Sequence, residues 1–182
     1  MHQESHAACS KVHSKIFLSL FSKETLRDRE RNFPSIQFRD YLVVGLKIDE
    51  SELLLETPGG ITSVSLQEVH RLDSFVRNMI ALQPRMKLLI CAGDEPFRQI
   101  RTMLLVGCHL IISQGLGFEE SFLALKAVRS FHPLFEKHLA SLESLLRAVC
   151  CAKCLDWINF NLDVSEDCTT QIHMEEYIHY AR

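Results

Sequence analysis

A chain of 182 residues accommodates one well-buried α/β domain and is too short for two of ordinary size. Hydrophobic residues make up 47% and mean hydropathy is near zero, which excludes a disordered chain. A formal charge of −3 and a pI near 6.3 give no electrostatic drive toward nucleic acid or an anionic membrane.

The first ten residues are polar and read as disordered. Val12, Ile16, Phe17, Leu20 and Phe21 recur at helical spacing, predicting one amphipathic helix from about residue 11 to 28. Its mixed-charge tail, residues 23–31, reads as a solvated face. The apolar run Ile16–Phe21 is far short of the roughly 20 residues a membrane span needs. From Asp40 the pattern changes to strand: residues 41–48 are β-branched and apolar, Asp49–Ser51 turns, residues 52–56 return, and Pro58-Gly59-Gly60 closes a hairpin. Ser65 and Glu68 have capping-box spacing before a helix that buries Val69, Leu72, Val76, Met79 and Ile80, stopped by Pro84.

A strand over 87–91 and a long apolar helix over 97–113 follow, joined by a polar loop that opens on Cys91. Gly115 and Gly117 break the chain, and Glu119 and Glu120 suit the N-terminus of a helix whose inner face is Phe118, Phe122 and Leu125. Pro133 ends that segment. Leu139, Leu142, Leu145, Leu146 and Val149 mark a last long helix, beyond which Trp157 reads as a core residue and the chain becomes acidic and irregular. Strands and helices interleave, so the expected architecture is α/β, a small central sheet packed by helices.

The loop after Cys91 is laid out like a phosphate cradle, with a strand end, a turn and a helix N-terminus that aims backbone N–H groups at an anion. Its chemistry does not match that layout. A loop that forms a phosphocysteine needs five residues between cysteine and arginine, whereas six separate Cys91 from Arg98. Asp94 and Glu95 would repel a dianion, and Pro96 has no N–H to give. Cys91 is therefore either an inert, half-buried thiol or, as the competing reading, the nucleophile of an active phosphatase with Arg98.

Seven cysteines form an odd set with three crowded at Cys150, Cys151 and Cys154, which does not resemble a disulfide framework and points to a reducing compartment. Cys151 and Cys154 have C-x-x-C spacing, so a zinc or redox role stands beside ordinary packing. Zinc would need two more ligands, for which only His173 and His179 lie nearby. His109, in an apolar helix, reads as a hydrogen-bonded core histidine rather than a catalytic one. Gly115-Leu-Gly117 is too short for a nucleotide-binding turn. The late acidic residues Asp156, Asp163, Glu166, Asp167, Glu175 and Glu176 form either a solvated face or a groove for basic peptides.

Several stretches resemble the non-catalytic N-terminal domain of the cell-division-cycle dual-specificity phosphatases of mitotic exit. Residues Leu105–Leu125 resemble, without gaps, that family's L-I-G-A-[YFH] helix and its following P-E-E-A-[YF]-x-x-L helix. A Leu142–Phe160 helix, the Asp163-Val164 pair and Glu175-Glu-Tyr-Ile-His-Tyr180 resemble the end of the same domain, and Phe38–Leu42 its opening strand. Residues 1–37 would be an N-terminal extension and 38–182 the phosphatase-like domain of the protein-tyrosine-phosphatase superfamily. Ser165–Met174 looks like an insertion relative to that pattern.

The resemblance implies a domain without the H-C-x5-R loop, hence no enzyme activity of its own and no cofactor or metal. Asp163, Glu175 and Glu176 would be its substrate-groove acids. Its role would be recognition of a substrate or protein partner in cell-cycle control, with a phosphatase catalytic domain or a second copy on a surface more apolar than usual. Nucleic acid and membrane are not expected partners, and the expected location is nucleus or cytoplasm, with centrosome or spindle by family.

Overall fold

The computed structural model describes residues 9–22, 24–26, 28, 40–45, 64–128 and 133–158. These form a mixed four-stranded sheet and four long helices: β1 (Ser10–His13), β2 (Ile16–Ser19), β3 (Tyr41–Gly45), α1 (Leu66–Leu82), β4 (Lys87–Cys91), α2 (Pro96–Ile112), α3 (Phe118–Lys126) and α4 (Pro133–Cys154). The spatial strand order is β1-β2-β4-β3, with β1 antiparallel to β2 and β4 parallel to both its neighbours. The α/β class and the small helix-packed sheet are as the interleaved pattern predicts.

The expected helix over 11–28 is corrected for its first part, while residues 24–26 and 28 at its end are helical. Residues 10–19 are two strands joined at Ser14 and Lys15, and β2 pairs directly with β4, so the sheet begins in the stretch read as an extension. Val12, Ile16, Leu18 and Leu20 are all buried, which is the period of a strand. Phe17 and Phe21 pack on the opposite sheet face. With both faces apolar, the alternation between them disappears from the sequence, and the 12-16-20 spacing imitates a helix.

β4 is the centre of the sheet. Its run Lys87-Leu-Leu-Ile-Cys91 reads as a parallel strand covered on both sides, and Leu88 through Cys91 are at most 2% exposed. Leu88 and Ile90 join the main core with Ile16, Leu18, Val69 and Val76, while Leu89 and Cys91 join a smaller cluster with Leu26 on the other face. β3 runs beside β4 in the register Leu42↔Leu88 and Val44↔Ile90. The return strand over 52–56 and its Gly-Gly turn lie outside the described residues.

α1 has the predicted capping box: Ser65 Oγ accepts from the Glu68 N–H at 3.2 Å, and Glu68 Oε2 accepts from the Ser65 N–H at 2.8 Å. It ends at Leu82, ahead of Pro84. α2 starts on Pro96, where a missing N–H costs nothing, and is buried from Gln99 to Ile112, as expected for a helix that is apolar nearly all round. It is the axle of the domain, packed by α1, α3 and α4. Gly107 permits the closest of these approaches: a Cβ there would stand 2.6 Å from Leu146 Cδ2 and 2.9 Å from Leu125 Cδ1.

At the C-terminal end two expectations change. Pro133 opens α4 rather than merely closing what precedes it, and α4 stops at Cys154 instead of running to Phe160. The stop is a Schellman motif, with Trp157 N–H donating to Ala152 O at 2.9 Å and Asp156 N–H to Lys153 O at 2.9 Å. Asp156 sits at φ +59°, a left-handed conformation that aspartate tolerates better than most residues. The reversal turns Ile158 inward and Trp157 outward. Trp157 is 61% exposed and is not core.

Candidate functional site

The carboxyl ends of β2, β3 and β4 finish level, with Cys91 in register with both Ser19 and Gly45. This edge of a parallel sheet is where α/β folds place ligands. The loop 92–95 spans it and leads into α2, as the sequence layout suggests.

Cys91 is not presented to that loop. It is the last paired residue of β4, 1% exposed, and its side chain belongs to the apolar cluster with Leu26 and Leu89. The strand alternation that puts Leu88 and Ile90 on the main core sends Cys91 to the opposite face. The half-buried thiol of the sequence reading is thus a fully buried one.

The loop is fastened to the chain after β2. Ala92 N–H donates to Ser19 O at 2.8 Å and Gly93 N–H to Phe21 O at 3.4 Å, so these two donors extend the sheet pairing. Asp94 turns to the same segment, accepting from the Ser22 N–H at 3.2 Å and the Thr25 hydroxyl at 3.0 Å. Ser22 Oγ in turn accepts from the Thr25 N–H at 3.1 Å. Beneath them the buried Gln99 amide donates to Leu20 O at 2.9 Å and Gly93 O at 3.3 Å. Gly93 stands at φ +109°, a conformation that the absent Cβ allows. The Ala92 and Gly93 N–H groups, which a phosphate loop would turn on an anion, are here engaged by carbonyls of the chain at and after the end of β2.

Arg98 is 3.2 Å from Glu95, one turn away, and its stem lies against Gly93. The structure therefore places Cys91 and Arg98 in different settings: the thiol on one sheet face, the guanidinium beside an exposed carboxylate on the loop. Asp163, Glu175 and Glu176 lie outside the described residues, as do His173 and His179.

Cys151 and Cys154 occupy the last turn of α4 and are exposed, while Cys150 is half-buried. Among the described residues, no group of three or more metal-binding side chains comes together. Lys153 turns back to donate to Ile111 O, which ties this end of α4 to the end of α2.

Two polar clusters inside the domain escaped the sequence reading. In the first, Asp73 is fully buried in α1 with Oδ1 2.6 Å from His109 Nδ1 and also accepting from the Ser113 hydroxyl. Its other oxygen is 2.6 Å from Arg77 Nη2. Gln114 Nε2 reaches His109 Nε2 at 3.2 Å, an arrangement that leaves Nδ1 to carry the proton toward Asp73. His109 is the hydrogen-bonded core histidine the sequence suggested. The order of contacts is not that of a catalytic triad, because serine and histidine both address the carboxylate and the other ring nitrogen meets the Gln114 amide instead of a hydroxyl.

Burial pushes the Asp73 carboxyl up, but the hydrogen bonds from His109 and Ser113 and the electrostatic pull of His109 and of the Arg77 guanidinium outweigh it, and the group is held below the usual carboxylate range. The second cluster pairs Arg101, 1% exposed at the heart of α2, with Glu68 of the capping box. Burial raises the Glu68 carboxyl, and hydrogen bonds from Ser65 and Arg101 reverse the direction. A signal for Asp73 existed: it falls on the 69-72-73-76 stripe, where a solvated carboxylate would not.

Thiol reactivity follows from these placements. Burial pushes Cys108 up to about 12, so it stays protonated and hidden. Brief alkylation of the native chain is expected to label Cys151 and Cys154 and to leave Cys91 and Cys108 untouched until denaturant is added. Peptide mapping by mass spectrometry reads this out, and rapid native labelling of Cys91 would contradict its placement.

No protein-family model matches the chain, and no curated protein matches it either.

Proposed function

We propose that the chain is a phosphatase-like domain without catalysis, akin to the N-terminal half of a mitotic-exit dual-specificity phosphatase, and that it works by binding a protein. The observation that carries this reading is the loop after β4. It stands where a parallel sheet offers an anion site, and it is fastened through Asp94 to Ser22 and Thr25, with Cys91 turned away from it. Such a loop keeps the layout of an anion site, while its spacing, its two acids and its buried thiol speak against phosphoryl chemistry there. The occupant proposed for the domain's surface is a phosphatase catalytic domain. Large apolar side chains that reach solvent on α3, on α4 and just past it (Leu123, Leu145, Leu155 and Trp157) suit such a contact.

The purified chain is expected to hydrolyse no aryl phosphate above the buffer rate. Turnover that disappears in Cys91→Ser would overturn the proposal and restore the active-phosphatase reading. Sedimentation of the chain with a dual-specificity catalytic domain tests the binding half. A shift to a one-to-one complex is the expected result, and two independent boundaries count against it.

A further inference from the structure

At the far ends of the parallel strands from that loop, a groove of about 380 Å³ opens between the β1–β2 turn and the last turns of α1. Its lining is chemically sorted. Lys15 and Arg77 supply positive charge, His13, Ser14 and Gln114 supply polar atoms, and Ile16, Ile80 and Ala81 form an apolar wall. No carboxylate is among these lining residues.

We infer that this groove binds a small organic monocarboxylate, its charged end between Lys15 and Arg77 and its apolar tail along Ile80 and Ala81. The volume lies within the range of small-molecule pockets, near its lower limit. Both cations are held in place before any ligand arrives. Lys15 Nζ donates to Pro84 O at 2.5 Å, a contact that fixes the ammonium without neutralising it. Arg77 is steered by Asp73 at 2.6 Å, yet its side chain remains 40% exposed toward the groove.

Charge counting selects the class of ligand. Asp73 balances one of the two cations from beneath, so a single positive charge is left over, which suits a monoanion better than a phosphate dianion. The apolar wall makes a bare inorganic anion a poor fit, since it would leave Ile80 and Ala81 facing water. A carboxylate can accept from the ammonium and the guanidinium together, the shorter and stronger kind of hydrogen bond. This inference is independent of what the loop after β4 does.

The test is a titration of the full chain with hexanoate, followed through the backbone amide NMR shifts of Ser14, Lys15, Ile80 and Ala81, with 1-hexanol and inorganic phosphate as comparators. Saturable shifts confined to those amides are expected for hexanoate, with hexanol about tenfold weaker and phosphate weaker still. Ala81→Glu sets a carboxylate at the groove from an exposed helix position, and should weaken hexanoate about tenfold or more while leaving the melting temperature unchanged. Lys15→Met should reduce the preference for hexanoate over hexanol. Shifts elsewhere, equal binding of hexanol, tighter binding of phosphate, or indifference to Ala81→Glu would each overturn the assignment.

Discussion

Asp73→Ala is expected to cost about 3–5 kcal/mol of folding stability, the largest effect of any single substitution considered for this domain. The carboxylate is wholly inside the fold and serves three partners: the His109 imidazole, the Ser113 hydroxyl and the Arg77 guanidinium. Removing it leaves the buried His109 with a donor and no acceptor, an orphan that costs about 1–3 kcal/mol, and takes the partner from the half-buried Ser113 hydroxyl. Arg77 loses less, because water reaches it. Asp73→Asn should be milder, since its carbonyl still accepts from His109 while the charge opposite Arg77 is gone. Urea unfolding of the three proteins measures the series, and a cost below about 1 kcal/mol for alanine would show that the cluster is not load-carrying.

The same carboxylate gives a pH signature. Its folded pKa is depressed relative to the roughly 3.9 of an unfolded aspartate, so its stabilisation is complete above about pH 4. As the pH falls through the folded value the carboxylate is protonated and the contribution is lost. The stability gap between the wild-type chain and Asp73→Asn should therefore be constant from pH 7 to about 5 and narrow below about 4. Glu68 is depressed too and adds its own acid-side loss to both proteins, so the comparison isolates Asp73.

Gly107→Ala sets two opposed effects against each other. Alanine is the better helix former by about 1 kcal/mol, which favours the variant. Its Cβ, however, would enter space held by Leu146 and Leu125, both 0% exposed, at distances of 2.6 and 2.9 Å. Side-chain ends at a surface would swing aside, but these two are packed between α2, α3 and α4. Overpacking of this kind costs about 1–3 kcal/mol, so the net outcome expected is destabilisation, with Tm falling by roughly 2–4 °C per kcal/mol. Adding Leu146→Val should recover part of the loss, a non-additivity expected of residues in contact. Unchanged or raised stability in Gly107→Ala would mean that α2 and α4 are not so closely packed.

Local rules carried much of the reading after residue 64. The Ser65–Glu68 capping box, the stop before Pro84, the apolar β4 and the break at Gly115 and Gly117 are each decided by a few neighbouring residues. They stand in the fold as read. Where a residue's partner is distant in sequence, local rules gave less. Residues 10–19 needed β4, some 70 residues on, to be strands, and without that partner their apolar spacing fits a helix equally well. Leu145 carried the apolar mark of the α4 stripe but is 39% exposed, whereas Leu142 and Leu146 meet α2 and are buried.

For the candidate site, spacing and charge alone marked how the loop after Cys91 departs from one that forms a phosphocysteine: six intervening residues, two acids and a proline. Those features follow from charge and spacing, which need no coordinates. The tertiary structure decided what the misfits do. Asp94 repels nothing, because Ser22 and Thr25 come from β2's end to bind it, and Cys91 faces Leu26 because the strand's pleat sends it there. The groove at Lys15 and Arg77 was likewise invisible, since its two walls are more than 60 residues apart in the chain. Sequence determined which segments could pair, cap and pack. Only the meeting of distant segments decided which polar groups are sheltered, and so which of them matter.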